Sequence, residues 1–177
     1  SQKAIRKAAC GLRVLDIGAS TGGFTDCLLR HDAAHVYALD SGTGQLDPTL
    51  CCDPRVTNLE NRNARYMQPE DFGGPCDMAV SDVILPVVPN VIKPGGSYIG
   101  LVKPQFECGR EALSKNGIVR DKKYRLAALE RVYDSLLENG MTPRHVTVSP
   151  ITGGDGNVDF LIEAIVGGSA DSLPLDR

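Results

Sequence analysis

Arg13-Val14-Leu15-Asp16-Ile17-Gly18-Ala19-Ser20-Thr21-Gly22-Gly23-Phe24 is the stretch from which the rest of the chain is read. Leu12 to Ile17 is a short apolar run with an acid, Asp16, near its end, and it reads as a buried strand. Gly18, Gly22 and Gly23 follow, and then Phe24-Thr25-Asp26-Cys27-Leu28-Leu29 takes up helical apolar spacing to about Arg30. The order is strand, glycine turn, helix. In an open α/β sheet, ligands sit outside the carboxyl ends of the strands, where this turn falls. Glycine lets backbone approach a ligand closely and takes positive φ without strain. No Gly-Lys-Ser/Thr follows, so this is not a phosphate-binding P-loop, and the spacing departs from a strict G-x-G-x-x-G. A tight turn with no ligand is the plainer alternative.

A second apolar run, His35 to Leu39, ends in Asp40, 17 residues past Gly23. An acid at the tip of the second strand is placed to take both hydroxyls of a ribose. Nicotinamide-binding proteins and S-adenosylmethionine (SAM) methyltransferases share this combination. Asp16, two residues before the first glycine, and the D-x-G-A-S-T-G-G wording favour the methyltransferase.

Outward from there, strands alternate with helices. Val56–Leu59, Cys76–Ser81 and Ser97–Val102 read as strands three to five. Gln45 to Cys51 reads as a short helix broken at Pro48, and Asn61 to Phe72 as irregular. Asp121 to Asn139 is the clearest amphipathic helix, with Leu126, Leu129, Val132, Tyr133, Leu136 and Leu137 on one side and Asp121 as N-cap. Arg144–Ser149 and Val158–Val166 are the last two strands, joined by a polar connection that implies an antiparallel pair. The expectation is an α/β fold: a mostly parallel seven-stranded sheet with one antiparallel strand and flanking helices. Residues 1–10 read as the remnant of an N-terminal helix or linker, 11–167 as the domain, and 168–177 as a loose tail. From Asp82 to Pro94 there is little room for a loop and a full crossover helix, which predicts a stretch missing between Val83 and Ile84.

At 177 residues the chain is long enough for one domain with a sizeable core. A net charge of −3 argues against a protein that coats nucleic acid over its whole surface, but leaves room for a local basic patch. Six cysteines without a C-x-x-C pair, and only three histidines, argue against structural zinc. Their irregular spacing suits a reducing cytosol, hence a cytoplasmic protein. No 18-residue apolar run suggests a membrane span, and no signal peptide opens the chain.

Three polar residues stand at strand ends on the rim of the glycine turn: Asp82 after strand four, Lys103 after strand five, and Asp159 at the start of the last strand. A buried ion pair is the structural reading. Proton management is the functional one, because lysine shifts its pKa readily when desolvated and carboxylates fix its orientation. From Lys103 to Arg125, seven bases and three acids give a local +4, which leaves −7 for the remainder. Such a segment reads either as a lid loop leading into a solvated helix or as a surface for a phosphate backbone. No aromatic run suggests base stacking, so recognition is expected to rest on shape, phosphates and 2′-OH groups.

Asp16 to Thr25, Gly44-Gln45-Leu46, Asn63-Ala64-Arg65, Leu101-Val102-Lys103-Pro104-Gln105-Phe106-Glu107 and Gly156-Asn157-Val158 together resemble the TlyA (haemolysin A) group of FtsJ-like methyltransferases, from about Leu12 to Ile165. The resemblance implies a Rossmann-like fold, SAM as cofactor, and methyl transfer to a ribose 2′-OH of ribosomal RNA, in this group a cytidine. It implies a Lys-Asp-Lys-Glu tetrad in which Asp82 is the acid and Lys103 the central lysine that activates the hydroxyl. Asp159 falls at the glutamate position, one methylene shorter. The first lysine is expected just upstream of Ser1, since Lys3 and Lys7 fall too late. Thr43 stands where the group usually has tyrosine. Asp16, Gly18, Ala19, Ser20, Thr21, Gly22, Gly23 and Phe24 would hold the methionine part of SAM. Asp40 would hold the ribose, Asn63 and its neighbours would flank the adenine, and Asp82 would also touch the cofactor. The implied partner is ribosomal RNA within a ribosomal subunit, with an N-terminal S4-type RNA-binding domain in the full-length protein. Two alternatives stay open: a methyltransferase acting on a small molecule or protein, and a haemolysin-type membrane-active protein. The second lacks any amphipathic membrane helix with aromatic anchors.

Overall fold

Strand β1 (Arg13–Ile17) alternates its side chains between two buried layers, and this sets the architecture. Leu15 and Ile17 enter one apolar cluster, while Val14 enters the other, on the side where Asp16 also points. The structure is a computed structural model and describes residues 9–149 and 156–167. Helix α1 (Gly23–Arg30) covers one face of the sheet through Leu28 and Leu29. On the other face lie Leu129, Val132 and Leu136 of the long helix Lys122–Glu138.

The remaining elements are β2 (His35–Leu39), helix α2 (Pro48–Cys51), β3 (Val56–Leu59), β4 (Cys76–Ser81), α3 (Val88–Val91) and β5 (Ile92–Val102). They are followed by α4 (Pro104–Glu107), the long helix as α5, β6 (Met141–Val148) and β7 (Phe160–Val166). The seven-stranded sheet has the order β3-β2-β1-β4-β5-β7-β6. All pairs are parallel except those of β7, which runs antiparallel to both β5 and β6. This is the expected mostly parallel sheet with one reversed strand. Because β1 and β4 are central neighbours, the turn after β1 and the turn after β4 open side by side on the carboxyl rim.

Several boundaries differ from the sequence reading. Pro48 begins α2 instead of breaking a helix: Asp47 caps it, accepting from the Thr49 N–H at 2.8 Å, and proline suits the first helical position. Residues 61–72 contain two 3₁₀ turns, Ala64–Tyr66 and Pro69–Phe72. Strand β5 starts at Ile92, with an irregularity where the pairing passes from Cys76 to Met78. Asp121 caps α5, accepting from the Lys123 N–H at 2.8 Å, but Leu137 lies on the exposed side of that helix. The connection from Asp82 to Val91 must run back along six-residue β4, roughly 20 Å at the strand rise, and it does so with one helical turn. Residues 1–8, 150–155 and 168–177 lie outside the described residues, as do most of the expected N-terminal remnant and the whole expected tail.

Candidate active site

The glycine turn is stitched to the end of β2: the N–H groups of Gly18 and Ala19 donate to the Leu39 carbonyl at 2.8 and 3.1 Å. Gly18 has φ +78°, and a Cβ there would stand 3.5 Å from Asp82 Oδ1. The missing side chain leaves the β1 turn open toward the β4 turn. Gly22, φ +100°, serves a different end. It caps α1, and a Cβ on it would run into Leu46 and Leu50. Ser20 and Thr21 are exposed, Ala19 is buried, and Phe24 packs half-buried against the α1-side core.

Asp40 closes the turn from the other side. Its Oδ2 accepts from the Ser20 N–H at 2.8 Å and its Oδ1 from the Gly42 N–H at 2.7 Å. The two bonds leave further lone pairs on the carboxylate for a ligand. Asp16 sits underneath, fully buried, with Oδ2 accepting from the Thr25 hydroxyl at 2.7 Å and Oδ1 without a hydrogen-bond partner. Burial pushes its pKa up to about 6, opposed by the bonds from Thr25 and reinforced by the negative charges of Asp82 and Asp40. Three carboxylates therefore share one region of negative potential at the mouth of the turn.

Beside them lies a cleft of about 380 Å³, within the range of about 300–1,000 Å³ typical of small-molecule sites. Gly18, Asp40, Ser41, Asn63, Arg65 and Val83 are on its wall. Asn63 keeps its place by capping the 3₁₀ turn Ala64–Tyr66, accepting from the Arg65 N–H at 3.0 Å. Of the cofactor residues read from the sequence, Gly18, Asp40 and Asn63 line the cleft. Asp16, Asp82 and the segment from Ala19 to Phe24 do not.

Asp82 is set by residues the sequence did not single out. The hydroxyl of buried Ser81 donates to the Ile17 carbonyl at 3.3 Å and accepts from the Val83 N–H at 3.1 Å. The hydroxyl of buried Tyr98 donates to the Val83 carbonyl at 3.1 Å. Burial, and then the charge of Asp82, raise the Tyr98 pKa, so the phenol stays a neutral donor. Asp82 Oδ2 is 3.3 Å from Lys103 Nζ, a partly exposed pair. The antiparallel ladder of β5 and β7 ends with Val102 opposite Phe160, so Lys103 leaves β5 at the end where Asp159 leads into β7. Asp159 is buried just ahead of β7, and its carbonyl accepts from the Ser149 N–H at 2.8 Å.

Beyond Lys103 the chain is basic and open. Arg110, Lys115, Arg120, Lys122 and Lys123 are exposed and form no ion pair among the described residues. Buried Asn157 anchors this loop: its Oδ1 accepts from the Val119 N–H at 3.0 Å and its Nδ2 donates to the Gly117 carbonyl at 3.2 Å. Among the described residues, no helix is long and apolar enough to cross a membrane, and no group of three or more His, Cys, Asp or Glu is arranged to hold a metal ion.

The glycine turn after β1 thus has an acid at the tip of each neighbouring strand, Asp40 and Asp82, and a lysine, Lys103, at the end of the next. Residues 2–164 match the model of the FtsJ-like methyltransferase family. The chain is 45% identical over 157 residues to YqxC of Bacillus subtilis, provisionally named an rRNA methyltransferase, covering 84% of this chain and 56% of that protein. It is 41% identical over 162 residues to the 16S/23S rRNA (cytidine-2′-O)-methyltransferase TlyA of Mycobacterium tuberculosis, covering 88% of this chain and 60% of TlyA. A solved chain from Streptococcus thermophilus, provisionally named a hemolysin, superposes with a TM-score of 0.86 at 40% identity, over 97% of this chain and 65% of that one. The chain thus spans somewhat over half the length of the curated relatives it matches, and within that span it belongs to the FtsJ-like methyltransferase family.

Proposed function

We propose that this chain is the methyl-transferring part of a SAM-dependent enzyme that methylates a ribose 2′-OH of ribosomal RNA, a cytidine as in its TlyA relative. The observation that carries the proposal is the Lys103–Asp82 pair, 3.3 Å apart, on the same rim as the Gly18 turn. The residues present suit SAM. Gly18 leaves room beside Asp82, the cleft is of the right order, and three carboxylates, one with a buried unpartnered oxygen, are relieved by a cationic ligand.

When bound, the cofactor supplies a methyl group on a positively charged sulfur, ready for in-line displacement. Asp40 holds the ribose through the lone pairs its two loop bonds leave, and Asn63 and Arg65 form the wall where the adenine would lie. Lys103 and Asp82 hold the acceptor hydroxyl. With the methyl group supplied there, the Asp82 carboxylate would take up the proton the acceptor hydroxyl gives up, and Lys103 would keep the hydroxyl oxygen oriented. Ser81 and Tyr98 fix the Asp82–Val83 turn so that this geometry is set before substrate arrives. The unpaired bases from Arg110 to Lys123 attract the RNA backbone.

The test is transfer of labelled methyl from SAM to ribosomal subunits that lack the modification, followed by mapping of 2′-O-methyl positions. Lys103→Ala is expected to abolish transfer while SAM still binds by calorimetry. Undiminished 2′-O-methylation by that variant ends the reading of Lys103.

A further inference from the structure

Phe106 is 75% exposed, in a short helix whose first residue, Pro104, is buried. The helix begins directly after Lys103, and the Phe106 N–H donates to the Lys103 carbonyl at 3.0 Å. That bond closes a single turn and brings the ring to 5.9 Å from Lys103 Nζ. A large aromatic face left open beside a lysine, at the entrance to a basic loop, calls for an occupant.

We infer that Phe106 is the platform on which the base of the acceptor nucleotide stacks while its ribose is held at Lys103. The inference rests on the RNA reading above and adds the subsite for the base. The acceptor hydroxyl has to come within hydrogen-bond reach of Lys103 Nζ. In a nucleotide, the base leaves the sugar from the carbon next to the one bearing the 2′-OH. A base attached there lies within one sugar's breadth of the lysine, which is where the Phe106 ring stands. Every base has a π-face, so a lone phenylalanine binds it without reading its identity. Arg110 and Lys115, exposed in the loop that follows, supply positive charge for the flanking phosphates. A target nucleotide presented this way is unstacked from its neighbours, and the ring recovers part of the stacking it loses. The competing role for Phe106 is to orient the lysine through the ring face, since 5.9 Å is also within cation–π range of about 6 Å.

The sequence contains no tryptophan, so Phe106→Trp installs a single tryptophan at the site, which can be excited apart from the five tyrosines. The variant is titrated with a short single-stranded oligoribonucleotide and with the same strand carrying abasic residues, while anisotropy of an end-labelled strand reports binding. Saturable quenching by the base-bearing strand and none by the bound abasic strand is expected. Equal quenching by both, or none by either once bound, overturns the inference. With ribosomal subunits as substrate, Phe106→Leu is expected to raise KM about 10- to 100-fold, with Phe106→Tyr restoring most of it and the pH profile of kcat unmoved. An unchanged KM with a shifted pH profile assigns Phe106 to positioning the lysine and overturns the stacking role. Failure of the RNA reading looks different: the unsubstituted chain then transfers no methyl to any ribose, whatever stands at position 106.

Discussion

The two rims of the sheet use the same residue types for opposite ends. On the amino rim, Asp77 accepts from the Arg13 backbone N–H at 2.9 Å and from Lys93 Nζ at 2.6 Å. The Arg13 guanidinium donates to the Tyr37 hydroxyl at 3.0 Å, bonds the Phe72 carbonyl and lies over the Tyr37 ring. Burial alone would raise the Asp77 pKa, but the bonds from Lys93 and Arg13 outweigh it and hold it below the ordinary carboxylate value. On the carboxyl rim, Asp16 is pushed up to about 6 with neighbouring acids adding to the strain, and the Lys103–Asp82 pair is looser and open. One rim is electrostatically satisfied and closes that end of the core. The other is held away from its own minimum, as a site awaiting a cationic ligand and a polyanion would be.

The contrast breaks most readily at Asp82. Asp82→Asn is expected to lower methyl transfer about 100-fold, a typical general-base contribution, while thermal stability holds or rises because a like charge near Asp16 is gone. A fall in melting temperature would place Asp82 among the structural acids. Asp16→Asn sharpens the same point through pH. The folded value of about 6 lies above the ordinary 3.8, so between them the folded state keeps a proton that the unfolded chain has released. The Asp16 contribution to stability is therefore fullest below about 3.8 and is lost, by roughly 3 kcal/mol, as pH rises to about 6. The asparagine variant should lose that slope in urea titrations at stepped pH, and be more stable without cofactor at pH 7.5 by about 2 kcal/mol. Its affinity for SAM should drop.

On the amino rim the sign reverses. Asp77→Ala leaves the Arg13 N–H and Lys93 without their acceptor and should destabilise by about 1–2 kcal/mol in chemical denaturation, with kcat unchanged. Because the Asp77 pKa is depressed, that contribution is present above the ordinary carboxylate value and is lost as pH falls below it. The smallest effect belongs to neither rim. Arg30→Ala removes the exposed Asp26–Arg30 pair on α1 and should cost no more than about 0.5 kcal/mol.

Some strands were legible because their signal is local. Val56–Leu59, at the sheet edge, and Cys76–Ser81, in its centre, are short runs bounded by polar or turn residues, and both appear at the bounds read from the sequence. The strands that were misread carry residues whose usual meaning is a turn. Lys93-Pro94-Gly95-Gly96 looks like a break, yet β5 runs through it with a pairing irregularity. Pro143 lies inside β6, which is tolerated because β6 is the sheet edge and the pairing shifts register just past it. At the site, Asp40, Asp82 and Lys103 were visible as polar residues closing apolar runs. Ser81 and Tyr98 were not, since a serine and a tyrosine within strands read as ordinary core until the loop they hold is seen. Phe106 left no periodic trace: one aromatic in a single helical turn carries no pattern, and although it stands in the Leu101–Glu107 motif, its exposure is what singles it out.

Asn157 has a mechanical consequence. It grips the backbone at Gly117 and Val119 and stands two residues before Asp159. The basic loop and the approach to the last strand are thereby yoked. The loop and the residues that lead into β7 therefore move as one piece, and a displacement of either is felt by the other.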